Sequence, residues 1–271
     1  MAKAYTKYQR FNFTASNTPI YVNLPEHDLV IIGAGHSFGI NEVPHPEKKL
    51  ENLLHEVLNC NHLILEGTIN SNNTVLRPGT IDYNAIAMQY CNGEKHFLEE
   101  GVTNLGGIFE KYGISKELIG LYNLFRAMSR VKIFSENGFK KYFDFLNKFL
   151  QGMRTKPFPG LDIEIEDVFN KFEILKGIFP NTFLELNALG IAFSWYSAEL
   201  REYEILCPKT EDSVSKLSGK KVEIVGAYHV DGLEKRLKGK SIKKPKVWKE
   251  FVRGLEPSQQ EFVNLIESKI F

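Results

Sequence analysis

The chain has 271 residues, of which 43% are hydrophobic, so it is long enough to bury a full core in one large domain. A formal net charge of +1 supplies no overall attraction to nucleic acid or to a membrane surface, and we expect neither as a partner. No apolar stretch approaches the length of a membrane span, and residues 1–7 contain no apolar core of signal-peptide length, which predicts a cytoplasmic protein without a membrane anchor.

Three cysteines, Cys60, Cys91 and Cys207, are widely separated along the chain. An odd number without C-x-x-C spacing argues against a disulfide scaffold and against a structural zinc site. Reduced thiols in a cytosolic protein are the simplest interpretation.

The first 66 residues predict strands on either side of a helix. Residues 9–23 contain one or two short strands around an Asn-Thr-Pro turn. Residues 28–32 show no polar alternation, which is typical of a strand covered on both faces in a parallel sheet. Leucines at helical spacing follow over 47–59, and residues 62–66 form a strand that ends on the carboxylate of Glu66. This order predicts a βαβ unit, in which parallel strands place Glu66 at the same end of the sheet as His36.

Helical patterns dominate the later chain. They cover about 104–150, rich in Phe and Lys, and 182–206, before a second apolar strand over 221–225. The predicted fold class is α/β, with mixed α+β as the variant: a central sheet flanked by helices. No linker is long enough to force two domains, so we expect residues 1–271 to form one domain with a helical insertion around 104–155.

A short pattern occurs twice, almost two hundred residues apart. Each copy has two β-branched aliphatic residues, then Gly-Ala-x-His, then a glycine three residues after the histidine: Ile31–Gly39 and Ile224–Gly232. Glycines on both sides of a given histidine at this spacing are expected by chance in roughly 0.5% of cases. We therefore interpret His36 and His229 as site residues rather than as isolated surface or core histidines.

The strands place these motifs where open α/β sheets bind ligands, just past the carboxyl ends. Each histidine follows a strand-ending glycine, Gly33 or Gly226, by three residues. These glycines and Gly35 would let the backbone bend and approach a substrate closely. Tyr228, beside the second histidine, could donate a hydrogen bond to the substrate or pack against the protein.

Nucleotide binding is a competing interpretation. Gly33-Ala34-Gly35 after a strand matches the start of a G-x-G-x-x-G fingerprint, but Phe38 occupies the position of the third glycine. The second copy has Tyr228 in place of the middle glycine, so we disfavour dinucleotide binding. The basic cluster Lys235–Lys249 is interpreted as a solvated face, with binding of a phosphate or an acidic partner as the alternative.

Taken together, these motifs resemble the TIKI/TraB superfamily, which is related to erythromycin esterase-like and ChaN-like proteins. In that family the second histidine motif often reads Val-Val-Gly-Ala-Gly-His-hydrophobic-x-Gly, which Ile224–Gly232 fits closely. The strand ending at Glu66 matches the family's first acidic motif. Leu200–Tyr203 is a looser match to its Glu-Arg-Asp/Asn helix motif, because Leu200 replaces the first acid and Glu202 stands for Asp or Asn.

The resemblance implies a mixed α/β fold that brings four motifs to one pocket, and a metal-dependent hydrolase of a peptide or ester. In this hypothesis His36, His229 and Glu66 bind a divalent ion of Mn, Co or Zn, or Glu66 is the general base on metal-bound water. Arg201 would hold a substrate carboxylate or stabilise the oxyanion. In a metal-free variant, one of the histidines takes a proton from a substrate hydroxyl or from water, held by Glu66.

Other interpretations stay open. A non-catalytic protein could use the same pocket to bind haem or a small metabolite, and a diverged scaffold could present the Phe/Lys-rich helices to a partner. Glu66 could simply cap the turn after its strand, and Arg201 could form a surface ion pair with Glu199 or Glu204. The expected partner is a small-molecule or peptide substrate, and the oligomeric state, including a homo-oligomer, is left open.

Overall fold

The computed structural model describes residues 18–34, 38–39, 43–67, 80–100, 105–115, 118–119 and 183–270. The chain divides into two compact units. One consists of Gln9–Gly101 and Arg201–Lys244, and the other of Met1–Tyr8, Val102–Leu200 and Pro245–Phe271. The predicted helical insertion around 104–155 falls mostly outside the described residues, so the single-domain arrangement stays a prediction.

A five-stranded mixed sheet forms the centre of the first unit, which confirms the predicted α/β class. Its strand order is β1-β2-β7-β4-β6, and β1 is antiparallel to β2 whereas the other neighbours are parallel. Two further strands, β3 and β5, pair antiparallel in a small separate sheet. The strands are β1 Ile20–Leu24, β2 Leu29–Ala34, β3 Phe38–Gly39, β4 His62–Leu65, β5 Thr80–Ile81, β6 Glu94–Phe97 and β7 Lys221–Gly226.

Eight α-helices lie within the described residues, and a π-helical turn, Glu202–Leu206, directly follows the longest of them. The helices are α1 Pro46–Leu58, α2 Tyr83–Tyr90, α3 Leu105–Lys111, α4 Phe183–Arg201, α5 Cys207–Lys216, α6 Val230–Leu237, α7 Trp248–Val252 and α8 Pro257–Ile270. None of the helices in the described part of the chain has the length and apolar character that crossing a bilayer requires.

Strand β7 lies in the middle of the sheet, between β2 and β4. The two predicted histidine-motif strands, β2 and β7, are therefore parallel neighbours, with Gly33 paired to Val225 and Ala34 to Gly226. The strands of the predicted βαβ unit, β2 and β4, share one direction but are separated by β7. Consequently the carboxyl ends of β2, β7, β4 and β6 all meet at one edge.

The sheet is covered on both faces, as the continuous apolar runs predict. Alternate residues of β7 face opposite sides: Val222 and Ile224 pack in a cluster that contains Leu53 of α1 and Ile86 of α2. Val225 belongs to the opposite cluster, which also contains Ile31, Ile64, Leu206 and Leu233. These residues are almost completely buried, so the sheet sits inside two apolar layers.

One carboxyl group is buried in this core. Glu223 lies on β7 between Val222 and Ile224 and is fully buried. The Thr210 hydroxyl of α5 donates a hydrogen bond to Oε1 of Glu223 at 2.6 Å, whereas Oε2 has no hydrogen-bond partner among the described residues. Burial raises the pKa of Glu223 to about 7, because removal from water penalises the charged form.

All three cysteines are free thiols. Two of them nevertheless meet inside the first unit, where Sγ of Cys60 lies 3.7 Å from Sγ of Cys91. Burial, together with the neighbouring Cys91 thiol, raises the pKa of Cys60 to about 12. The Cys60 thiol therefore stays protonated at neutral pH, which makes it a poor nucleophile.

The second unit contains an aromatic cluster on α4 and α7. Tyr196 packs against Phe251 with ring centroids 4.4 Å apart, and Trp248 stacks on Phe251 at 5.5 Å. The Tyr196 hydroxyl donates to the backbone oxygen of Lys246 at 2.8 Å. These buried rings fix α7 to α4.

Candidate functional site

Charged side chains converge beyond the carboxyl ends of β4, β6 and β7. Glu66 directly follows β4, Glu99 follows β6 by two residues, and His229 follows β7 by three. Arg201 ends α4, and Glu202 begins the π-helical turn. This edge of the sheet is where the sequence predicts the site.

Arg201 joins two of the carboxylates. Its Nη2 donates to Oε1 of Glu66 and its Nε donates to Oε1 of Glu99, both at 2.7 Å. The three side chains are only 15–18% exposed, so these ion pairs are largely shielded from water. Burial alone would lower the pKa of Arg201. The carboxylates of Glu66 and Glu99 outweigh burial and raise that pKa above its usual value.

Glu66 is held as an anion. Its second oxygen, Oε2, accepts a hydrogen bond from the backbone N–H of Gly226 at 2.6 Å. Burial would raise the pKa of Glu66, but the protonated form of His229, the Arg201 guanidinium and the Gly226 N–H favour the anion, outweigh burial and lower the pKa to about 2. A carboxylate with so low a pKa is a weak proton acceptor, and the predicted role of Glu66 as the general base stays a prediction.

His229 is oriented by Glu202. Its Nδ1 donates to Oε2 of Glu202 at 3.0 Å, and the imidazole is only 4% exposed. A neutral imidazole with its proton on Nδ1 has a lone pair on Nε2. That Nε2 atom lies 3.8 Å from Oε1 of Glu66, which is too far for a direct hydrogen bond.

Two consecutive residues, Arg201 and Glu202, reach different partners in the same site. Successive side chains of a regular α-helix point about 100° apart. The change from α-helix to π-helix occurs between these two residues, and π-turns inside α-helices are frequent at functional sites. A sequence pattern of period 3.6 does not reveal such a turn, which is why the sequence predicts only a regular helix over 182–206.

Two motif glycines make room for neighbouring protein groups. A Cβ on Gly33 would lie 2.5 Å from Cγ2 of Val230 and 3.1 Å from Cα of Ala227. A Cβ on Gly232 would overlap the carboxylate of Glu202. These contacts account for both glycines without a ligand, and the substrate contact expected for Gly33 stays a prediction.

We expect Gly232→Ala to separate Glu202 from His229. The added methyl group takes the space of the carboxylate, which sits at the end of a flexible side chain and can swing away. We expect the free energy of unfolding to change by no more than about 1 kcal/mol. Alanine has a higher helix propensity than glycine, by about 1 kcal/mol, and this gain offsets the cost of displacing the Glu202 side chain. Nitrogen-15 NMR of the imidazole should show a shift in the Nδ1–H/Nε2–H tautomer balance. An unchanged His229 spectrum would contradict the expectation, and Glu202→Ala serves as the matched reference.

The structure brings together four of the predicted site residues: Glu66, Arg201, Gly226 and His229. Tyr228 lies beside them and meets the His229 ring edge-on, with centroids 5.3 Å apart. Arg201 does not form the surface ion pair that was its alternative interpretation, because its partners are Glu66 and Glu99.

Gly35 and His36 lie outside the described residues. The expected metal trio of His36, His229 and Glu66 therefore stays a prediction, although its latter two members are close together. The expected substrate contacts of Gly35, Gly226 and Tyr228 also stay predictions.

Sequence reasoning missed Glu99 and a separate group, His62, Glu94 and His96. Strand β6 reads Glu-Lys-His-Phe and lacks an apolar run, so the sequence predicts no strand there. The available signal was the spacing of Glu94 and His96, which places alternate residues on one face of a strand. Of the described residues, this group alone gathers three ligand atoms closely enough to hold a metal ion.

No protein-family model, curated protein or solved structure matches the chain. Its resemblance to the TIKI/TraB superfamily therefore rests on the motifs alone.

Proposed function

We propose that this site hydrolyses a carbonyl substrate, a peptide or an ester, with His229 as the general base. The observation that carries the proposal is the hydrogen bond from Nδ1 of His229 to Glu202. A carboxylate in this position fixes the tautomer and orientation of the imidazole and stabilises the imidazolium formed when Nε2 takes a proton.

The gap between Nε2 of His229 and Oε1 of Glu66 supports the same chemistry. At 3.8 Å the two atoms do not bond directly, but a water molecule beside both would be within hydrogen-bond reach of each. Such a water would lose a proton to Nε2 as its oxygen attacks the carbonyl carbon. The imidazolium would then give that proton to the leaving amine or alkoxide as the C–N or C–O bond breaks. Glu66, fixed by Arg201 and by the Gly226 N–H, would orient the water.

The same donors could instead hold a divalent metal, and then the Nε2 lone pair of His229 would bind the ion and this histidine would not be the base. An imidazole Nε2 and a carboxylate oxygen are ordinary ligands of Mn, Co or Zn, and the Glu202 contact is the outer hydrogen bond that metal-binding histidines usually make. His36 would be the third ligand. A bound ion would act as a Lewis acid and lower the pKa of water toward neutrality.

Arg201 suits an anchoring role better than the predicted role of holding a substrate carboxylate. Two of its five N–H donors already bind Glu66 and Glu99. A substrate carboxylate would have to compete with these two protein carboxylates. We therefore infer that Arg201 keeps Glu66 ionised and in place.

A non-catalytic ligand-binding protein is the second candidate. It is favoured by the complete pairing of the Glu66 carboxylate, whose two oxygens accept hydrogen bonds from Arg201 and Gly226. Such a network could serve only to shape a pocket for haem or a small metabolite.

The test combines metal analysis with a hydrolysis screen. Protein purified without chelators or a metal-affinity tag is assayed for bound metal and then, with and without Mn²⁺, Co²⁺ or Zn²⁺, against peptide and ester substrates. We expect His229→Gln to lower kcat by about 10²–10⁴-fold and Glu202→Gln to lower it in the same direction. His55→Gln, which changes an exposed histidine of α1, is the matched control and should leave kcat unchanged.

Two outcomes would contradict the proposal. Hydrolysis at the same rate in His229→Gln would exclude this histidine as the base. A ligand that binds tightly, is not turned over and is lost in both variants would favour the binding-protein candidate.

A further inference from the structure

We propose that His62, Glu94 and His96 form a metal site apart from the site around His229, for Zn²⁺ or a similar divalent transition-metal ion. All three residues belong to the sheet-containing unit, and none of them takes part in the site around His229. They lie on β4 and β6, with His62 and Glu94 at the amino ends of these strands. This group therefore lies toward the amino ends of the strands, whereas the site around His229 lies beyond their carboxyl ends.

The strand register places the three side chains on one face. His62 is the direct partner of Glu94 in the parallel pair of β4 and β6. His96 follows Glu94 by two residues, and the strand period of two returns it to the same side. The convergence is thus a consequence of backbone pairing, not of flexible loops.

The distances between the donor atoms match those around a single ion. Nδ1 of His62 lies 3.1 Å from Nε2 of His96, and Oε2 of Glu94 lies 3.5 Å and 3.7 Å from these two nitrogens. Ligands that bind one tetrahedral ion at about 2.1 Å are roughly 3.4 Å from each other. Only small side-chain adjustments are needed to enclose an ion.

The other nitrogen of His62 is held as it is in metal-binding histidines. Nε2 donates to the backbone oxygen of Ser218 at 3.0 Å, which leaves the lone pair on Nδ1, facing Glu94 and His96. Without an ion, the Nε2–H of His96 can donate to this lone pair. Binding a metal would replace that hydrogen bond and move the proton of His96 to its Nδ1 atom.

The chemistry of the donors selects the class of ion. Two imidazoles, which are borderline ligands, together with one carboxylate suit zinc and its neighbours, whereas Ca²⁺ and Mg²⁺ prefer oxygen ligands alone. The histidines are 15% and 24% exposed and Glu94 is 67% exposed, so an ion can enter from solvent. Three protein ligands leave a fourth position for water.

A bound ion would fasten β6 to β4. Within the described residues β6 pairs only with β4, so it is an edge strand of the sheet. The ion would join the two strands through side chains, and the His62–Ser218 bond would extend the link to the turn before β7. We expect slower amide hydrogen exchange in β6 when zinc is bound.

The experiment is a Zn²⁺ titration of the full chain after removal of metals with a chelator, followed by calorimetry and hydrogen exchange. His96→Gln and Glu94→Gln should each weaken one zinc-binding step by at least about tenfold. Glu94→Gln changes an exposed side chain, so it tests the site even if His96→Gln does not fold. His55→Gln is the matched control and should retain the step, and so should His229→Gln, which separates it from the first site.

The site is overturned if the wild-type protein shows no zinc-binding step, or if Glu94→Gln weakens none of the steps that the wild type shows. Zinc binding at this step that leaves the exchange of Glu94–Phe97 unchanged would overturn its role as a link between the strands.

Discussion

Replacing Arg201 with glutamine should lower the free energy of unfolding by about 3–5 kcal/mol, because it leaves buried carboxylates without their counter-charge. Glu66 and Glu99 are 16% and 15% exposed, and each accepts a 2.7 Å hydrogen bond from the guanidinium. Urea unfolding at pH 7, monitored by circular dichroism, measures the difference. A variant in which Glu66 and Glu99 are also changed to Gln should recover part of the loss.

The chain contains a matched control for this pair. Arg236 donates through Nε to Glu211 at 2.8 Å, a contact of nearly the same geometry, but the two side chains are 41% and 39% exposed. Arg236→Gln should therefore cost less than about 1 kcal/mol. Equal losses for the two arginines would show that burial of the Arg201 pairs contributes nothing.

The effect of Arg201→Gln should also depend on pH. The pKa of Glu66 is lowered from 4.5 to about 2 in the folded protein. Its contribution to stability is therefore complete above about pH 4.5 and is lost as the pH falls through 2. The difference between wild type and Arg201→Gln should be constant from about pH 5 to 8 and shrink at lower pH.

Glu223→Gln should stabilise the protein at about pH 8 by up to about 3 kcal/mol. The pKa of Glu223 is raised from 4.5 to about 7 by burial, so above pH 7 the folded protein has to accommodate a buried charge. Raising the pKa of a carboxyl group by one corresponds to about 1.4 kcal/mol of preference for its protonated form. Glutamine keeps the acceptor for Thr210 and cannot ionise.

The sign of this effect sets its pH window. A raised carboxyl pKa means that the folded state binds the proton more tightly, so stability falls as the pH rises from 4.5 to 7 and then levels off. The gain from Glu223→Gln should accordingly disappear below pH 4.5. Glu51→Gln, on the exposed side of α1, should change stability by less than about 0.5 kcal/mol at either pH. A variant less stable than wild type at about pH 8 would contradict the expected cost of ionisation.

The central strands were predictable because they are covered on both faces. An apolar run at 28–32 and a second at 221–225, broken only by Glu223, identified β2 and β7, and leucines at helical spacing identified α1. Edge strand β6 has one polar face and only four residues, so its pattern resembles a loop. The position of β7 between β2 and β4 depends on pairing across more than 150 residues, which no local pattern encodes.

The candidate site was predictable in part for a related reason. His229 and Glu66 follow apolar strands that the sequence identifies, so their shared edge follows from the topology. The pairing of Arg201 with Glu99 instead depends on the missed strand β6 and on the π-helical turn at Glu202. Local sequence periodicity indicates neither the register of an edge strand nor the side on which a helix turn widens.

The central position of β7 has a consequence for synthesis of the protein on the ribosome. Strands β2, β4 and β6 are all made before residue 98, but β7, which joins β2 to β4, begins only at Lys221. At about 5–20 residues per second, the intervening stretch of roughly 120 residues takes roughly 6–24 s to translate. Throughout that interval the nascent chain lacks the strand that completes its sheet. The apolar edges of β2 and β4 are then open to chaperones and to neighbouring nascent chains.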